Sequence, residues 1–161
     1  MKIRTDFVTN SSSSSFILAF KDMESIMPVL SKTLSGEYLD IVYNDVLRHI
    51  NNISREKVLS YYEDRAWWTA RFDIHNEKMM ELERLPEQIN IYRWEKENQK
   101  EFSRLIKERV SQMVDEFRKE MEEYSMFAIV TYSDEDGEFY STLEHRLMPK
   151  TECCIASISN H

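Results

Sequence analysis

The chain has 161 residues and a formal net charge of −8, and 42% of its residues are hydrophobic and 31% charged. This composition excludes an intrinsically disordered protein, because enough residues are apolar to form a core. The length predicts a single globular domain over residues 1–161. The net negative charge argues against a binder of nucleic acid or anionic membranes, because phosphate groups would repel the protein.

Four segments are expected to form strands. Residues 3–9 alternate loosely and suit a short edge strand, whereas residues 16–20 form a compact apolar run that suits a buried strand. Residues 126–132 and 153–158 are two further strand-like runs. The predicted strands therefore lie near the two ends of the chain.

The stretch between them, residues 22–124, is expected to be mostly helical, because its apolar side chains recur every three or four residues. The clearest helix is predicted over residues 94–124, which either pack on the domain's own sheet or pair with a second copy as a coiled coil. Residues 66–74 have two interpretations, since they alternate like a strand but lie among helical segments. A short helix is predicted over residues 139–148 and ends at Pro149.

The order of these elements predicts an α/β or α+β fold. We expect a small central mixed sheet of about three to five strands, with the long helical insertion between the first and second clear strands. Helices between strands favour parallel pairing, and a hairpin across the serines would make the sheet mixed. A site that combines the serines with the acidic residues after residue 132 requires residues 16–20 to run antiparallel to the other strands.

A polar run separates the first two predicted strands. Successive backbone N–H groups in such a loop can hold an anion, although the Gly-x-x-x-x-Gly-Lys pattern of phosphate loops is absent. A solvated linker is the alternative interpretation. The candidate phosphate-binding residues are Asn10, Ser11, Ser12, Ser13, Ser14 and Ser15.

An acidic turn follows the strand predicted over residues 126–132. Asp134 and Asp136 are spaced to present two carboxylates to one Mg²⁺ or Mn²⁺ ion, and an acidic surface turn is the alternative.

His161 is a candidate catalytic base or ligand if the last strand ends at the same edge of the sheet; a frayed terminus is the alternative. Apart from Mg²⁺ or Mn²⁺ at this turn, no cofactor is expected.

The two cysteines, Cys153 and Cys154, are neighbours in the sequence. Successive side chains of a strand point to opposite faces, so a disulfide between them is not expected. This pattern is typical of a reducing compartment. The apolar run at residues 16–20 is too short for a signal peptide or a membrane span. The sequence therefore predicts a cytoplasmic protein that does not associate with membranes.

The opening sequence, Phe7-Val8-Thr9-Asn10 followed by five serines and Phe16, resembles the start of a group of small, uncharacterised bacterial and mobile-element proteins. The resemblance covers about the first 20 residues and implies a phage-related origin. It implies no reaction, because the group has no known activity. It does imply that the serine run is a defined feature at the beginning of a domain.

Two functions are consistent with these features. The absence of a Gly-x-Ser-x-Gly or Gly-x-Gly-x-x-Gly motif and the abundance of Met, Trp and Tyr favour a non-enzymatic regulator that binds another protein. Such a protein would act as an inhibitor in conflict between a host and a mobile element. The alternative is a metal- or phosphate-dependent hydrolase or nucleotide-handling enzyme that uses the acidic turn. Self-association through the helix at residues 94–124 is a further expectation.

Overall fold

The computed structural model describes residues 3–5, 13–85 and 89–160. These residues divide into two compact units. The first unit takes its residues from Met1–Ser60 and Phe117–His161, and the second from Tyr61–Glu116. The single domain expected over residues 1–161 stays a prediction.

The first unit contains a four-stranded sheet. Its strands are β1 (Ile3–Thr5), β2 (Ser13–Phe20), β3 (Met126–Tyr132) and β4 (Cys154–Asn160). The strand order is β1-β4-β2-β3, with β1 parallel to β4 and β2 antiparallel to both β3 and β4. The predicted mixed α/β architecture, with its long helical insertion between two strands, is confirmed.

Strand β2 begins three residues before the apolar run that predicted it. Its serines belong to the strand because both neighbouring strands extend far enough to pair with them. Ser14 lies opposite Tyr132 of β3 and Ser159 of β4. The last three serines of the run, Ser13 to Ser15, are therefore part of β2, and residues 6–12 lie outside the described residues.

The parallel pairing expected for β2 is wrong, and so is the hairpin across the serines, because β1 pairs with β4. The reason lies where the helical insertion rejoins the sheet. The Ser125 N–H donates to the Phe20 carbonyl across 3.1 Å, and Ser125 Oγ donates to the Lys21 carbonyl. The chain thus returns to the point at which it left β2, so β3 runs back along β2 as in a hairpin.

One core cluster of the first unit lies on one face of this sheet. Helices α1 (Ile26–Leu30) and α2 (Gly36–Ile50) contribute apolar side chains to it. Alternate residues of β2 supply the sheet side, as the period of two in a strand requires. The buried residues that form this cluster include Phe16, Leu18, Phe20, Ile26, Leu30, Val42, Val46, Ala128, Val130, Leu143 and Met148.

The segment between β3 and β4 is helical but irregular. It consists of α6 (Glu138–Thr142), a π-helical turn over Leu143–Leu147 and a 3₁₀ turn over Met148–Lys150. Pro149 has no N–H and its ring excludes a carbonyl four residues earlier, so a regular helix cannot continue through it. The Met148 N–H instead donates to the Leu143 carbonyl, five residues back. The predicted helix over residues 139–148 is therefore locally widened.

The second unit is helical. It contains most of α3 (Arg55–Glu83), α4 (Ile91–Glu97) and most of α5 (Gln99–Met121). Helix α3 runs through residues 66–74, so the strand interpretation of that segment is wrong. Within the described residues, no helix is both long enough and apolar enough to cross a bilayer.

The prediction of one continuous helix over residues 94–124 is wrong in one respect, because the structure divides this segment into two helices at Asn98. The backbone angles of Asn98 (φ −119°, ψ 36°) are not helical. Its side-chain Nδ2 donates to the Trp94 carbonyl, and its own carbonyl accepts from the Phe102 N–H at the start of α5. The Asn98 N–H also donates to the Trp94 carbonyl across 2.8 Å, so the two helices are divided by the backbone angles of Asn98 and not by a lost backbone hydrogen bond.

Gly137 is expected to be essential for the turn between β3 and α6. Its backbone (φ 108°, ψ 176°) lies in a region that only glycine adopts readily. Gly137→Asn should lower the free energy of unfolding by about 1–3 kcal/mol, as measured by chemical denaturation. Gly36→Asn is the matched control, since φ 55° is left-handed helical backbone that asparagine tolerates. Equal losses in the two variants would contradict the prediction.

Candidate metal centre

Three chain segments meet at one edge of the sheet of the first unit. Because β2 is antiparallel to β3 and β4, its first residues lie beside the last residues of both neighbours. Ser13 pairs with Asn160, and Ser14 pairs with Tyr132, two residues before Asp134. The strand direction that a composite site requires is therefore present.

Glu144 is a buried carboxylate at this edge, and the residue is only 3% exposed. Ser14 Oγ donates to Glu144 Oε1 across 2.6 Å. The other oxygen, Oε2, accepts no hydrogen bond from the described part of the chain. A buried carboxylate oxygen that accepts no hydrogen bond is costly, so Glu144 Oε2 marks a position where a cation would be stabilised.

Asp134 and His145 lie next to this oxygen. His145 Nε2 is 3.7 Å from Glu144 Oε2 and 3.7 Å from Asp134 Oδ2. One donor atom from each of Asp134, Glu144 and His145 lies within 4.8 Å of the other two. Ligands of one zinc ion are separated by about 3–3.5 Å, given bond lengths near 2.0–2.2 Å. Small side-chain movements would therefore bring the three atoms around one ion.

Two irregular turns hold these side chains in place. Asp134 begins the 3₁₀ turn Asp134–Asp136, where Ser133 Oγ accepts from the Glu135 N–H. Glu144 and His145 lie in the π-helical turn, a feature that occurs frequently at functional sites. Glu144 points into the protein, whereas the side chains of Asp134 and His145 are 40% and 56% exposed. The three residues thus form a site that is closed on one side and open to solvent on the other.

The donor set suits a first-row divalent ion. Two carboxylates and one imidazole are ligands that Zn²⁺ and Mn²⁺ accept, and catalytic zinc sites use three protein ligands with a water in the fourth position. An ion held by Asp134, Glu144 and His145 would keep such an open position on the exposed side. The arrangement can therefore bind a metal and a further ligand together.

The structure brings some of the predicted site residues together. Asp134 is part of the three-residue site, and Ser14 contacts it through Glu144. Asp136 is exposed two residues further along the turn and does not belong to the group of three. The metal-binding pair Asp134 and Asp136 stays a prediction, and so does phosphate binding by residues 10–15.

The other predicted residues lie elsewhere. Ser15 Oγ bonds to Thr131 Oγ1 across 2.8 Å on the opposite face of β2. Ser13 is half-buried at the beginning of the strand. The candidates that lie outside the described residues are Asn10, Ser11, Ser12 and His161.

Sequence reasoning missed Glu144 and His145 as a site. Neighbouring side chains on a regular helix point about 100° apart, and the pair lacks His-Glu-x-x-His spacing, so the sequence suggested no shared ligand. The signal that could have identified them is Pro149, which makes a regular helix impossible at this position.

Tyr132 at the end of β3 fixes the same edge to α2. Its hydroxyl donates to Asp45 Oδ2 across 3.1 Å. Burial raises the pKa of Tyr132 far above its usual value, and the nearby Asp45 carboxylate raises it further. The hydroxyl is therefore a permanent donor that anchors β3 just before the acidic turn.

Comparisons of the chain with protein-family models, curated proteins and solved structures gave no match. The resemblance of the opening sequence to the mobile-element group stays a prediction. The chemistry of the site rests on its own geometry.

Tyr132 is expected to make the free energy of unfolding decrease at high pH. The unfolded tyrosine loses its proton near pH 10, whereas the folded hydroxyl keeps it because its pKa is raised. Above about pH 10 the unfolded state therefore binds fewer protons, and stability falls by up to about 1.4 kcal/mol per pH unit. In urea unfolding between about pH 8 and 11, the free energy of unfolding of Tyr132→Phe should decrease less steeply with pH than that of the wild type. The exposed Tyr92, changed to Phe, is the matched control, and a slope unaltered in Tyr132→Phe would contradict this assignment.

Proposed function

We propose that this protein binds a divalent metal ion through Asp134, Glu144 and His145 and uses it to hydrolyse a phosphoester. The observation that carries the proposal is Glu144 Oε2, a buried carboxylate oxygen without a hydrogen-bond donor among the described residues. A purely structural glutamate would be expected to have both oxygens satisfied. This oxygen instead lies beside the side chains of Asp134 and His145, which are further potential metal ligands.

The exposed side of the site supports a catalytic role over a structural one. Structural metal sites are closed by four protein ligands, whereas catalytic sites keep a position for water or substrate. A divalent ion supplies an acidified water and a positive charge for a substrate oxygen. Asp134 and His145, which are partly exposed, would border the approach of the substrate.

A phosphoester is the substrate class that fits the alternative function inferred from the sequence, a metal- or phosphate-dependent hydrolase or nucleotide-handling enzyme that uses the acidic turn. Two carboxylates balance the charge of a divalent ion, so the three ligands and the ion together carry no net charge that would repel an anionic substrate. The metal-dependent hydrolase is thus favoured over the non-enzymatic regulator by the convergence of Ser14, Asp134 and Glu144.

Metal binding is expected to depend on all three side chains. Isothermal titration calorimetry of the purified chain with Mn²⁺ or Zn²⁺ should show one binding site. Asp134→Asn, Glu144→Gln or His145→Ala should each lower the metal affinity by about 100-fold or more. Loss of an outer-sphere residue typically lowers it by only about 10–100-fold. At about 100 Kd of free metal, the wild type should gain about 2.7 kcal/mol of stability, and the variants little.

Glu144→Gln tests whether the glutamate serves metal binding or the stability of the fold. Without metal, this change removes a buried charge, so the variant should unfold at the same temperature as the wild type or higher. Asp136→Gln is the matched control for charge, and it should leave the affinity unchanged. A wild type that binds neither metal would overturn the proposal. A metal-loaded protein that hydrolyses no phosphomonoester, phosphodiester or nucleoside triphosphate would overturn its catalytic part alone.

A second candidate is the non-enzymatic binding protein, and exposed aromatic residues on α3 favour it. Trp67, Trp68 and Phe72 are 40%, 59% and 44% exposed. Large aromatic side chains are enriched at the centres of protein interfaces. The acidic character of the chain supports a protein partner rather than a nucleic acid. Self-association through residues 94–124 would also be a protein–protein interaction, and it stays a prediction.

Trp68 and Phe72 are expected to carry partner binding without supporting the fold. The double change of Trp68→Gln and Phe72→Gln should alter the free energy of unfolding by less than about 1 kcal/mol, because both side chains are exposed. It should abolish co-purification of a stoichiometric partner. Met80→Gln, at another exposed apolar position of α3, is the control. Identical behaviour of the double variant and the wild type would count against this candidate.

A further inference from the structure

The two oxygens of Glu144 have different surroundings. Oε1 accepts the hydroxyl hydrogen of Ser14 across 2.6 Å. Oε2 lies 3.7 Å from His145 Nε2 and accepts no hydrogen bond from the described residues. The hydroxyl of Ser14 therefore occupies one oxygen and leaves the other directed at the candidate ligands.

We propose that Ser14 is a positioning residue that restricts Glu144 to one-oxygen coordination and thereby selects Mn²⁺ or Zn²⁺ over Ca²⁺. The inference rests on the metal binding proposed above. Ca²⁺ takes six to eight oxygen ligands and often binds a carboxylate through both oxygens, whereas Zn²⁺ needs about four ligands at shorter distances. The hydrogen bond on Oε1 occupies one lone pair of the second oxygen that Ca²⁺ would use and holds that oxygen toward Ser14.

The position of Ser14 in the sheet supports this role. Ser14 lies on the central strand β2, between β3 and β4, and is only 8% exposed. Its backbone is held by pairing with Tyr132 on one side and Ser159 on the other. A donor on such a rigid element fixes the orientation of a carboxylate more precisely than a donor on a loop. Outer-sphere partners of this kind contribute about 10–100-fold to metal affinity.

Ser15 provides the internal comparison. It follows Ser14 directly and is also buried, but it points to the opposite face of β2 and contacts Thr131. A change at Ser15 therefore tests the effect of altering a buried serine in this strand without touching Glu144.

The decisive experiment compares Ser14→Thr with Ser14→Val. Threonine and valine have nearly the same shape, but only threonine keeps the hydroxyl. Calorimetric titration of each purified full-length variant with MnCl₂, ZnCl₂ and CaCl₂ gives affinity and selectivity. Ser14→Val should weaken Mn²⁺ and Zn²⁺ binding by about 10–100-fold and should leave Ca²⁺ binding unchanged or tighter. Ser14→Thr and Ser15→Val should resemble the wild type.

The electron paramagnetic resonance spectrum of bound Mn²⁺ provides a second measurement. A change of Glu144 from one-oxygen to two-oxygen coordination should broaden the spectrum of Ser14→Val but not that of Ser14→Thr. If Ser14→Val does not fold, the smaller Ser14→Ala replaces it in both measurements.

The outcomes distinguish this inference from the proposed function. If the wild type binds Mn²⁺ or Zn²⁺ through the three ligands and Ser14→Val matches it in affinity, selectivity and spectrum, the role of Ser14 is overturned and the metal site stands. An equal loss of metal affinity in Ser15→Val would also overturn the role of Ser14, since the loss would then come from a disturbed strand and not from the missing hydroxyl of Ser14. A wild type without metal affinity overturns both.

Discussion

The direction of β2 is the constraint on which the candidate site depends. The strand runs antiparallel to β3 and β4, and this direction places Ser14 beside the chain that leads to Asp134. In a parallel arrangement the serines would lie at the other end of the strand, about 25 Å away for eight residues. The contact of Ser125 with Phe20 fixes the direction, because it returns the helical insertion to its starting point.

The buried carboxylate of Glu144 is the second constraint. A charge-assisted hydrogen bond such as that from Ser14 contributes about 1.5–3 kcal/mol, which offsets only part of the cost of removing a carboxylate from water. An apolar side chain at this position would pack beside Leu143 without that cost. The protein instead keeps a carboxylate with one oxygen that accepts no hydrogen bond from the described residues, and a metal ion bound between it and two exposed ligands would supply the missing compensation.

Several elements could be predicted from the sequence because local patterns determine them. The strand at residues 126–132 has the predicted bounds. The error at residues 66–74 shows the limit of such patterns. Trp68 and Phe72 completed an apparent alternation but are exposed, whereas the buried side chains recur at the helical spacing of four residues. Periodicity identifies an element only when the apolar residues that produce it are the ones that become buried.

The site itself could not be predicted for a different reason. Ser14 and Glu144 are separated by 130 positions in the chain, and no local pattern encodes a contact of that range. The turns that present the ligands depend on single residues, Gly137 for its backbone angles and Pro149 for its missing N–H. A site assembled from strand direction and two irregular turns leaves no contiguous motif in the sequence. It becomes recognisable only when the fold shows that the polar strand end, the acidic turn and the widened helix share one edge of the sheet.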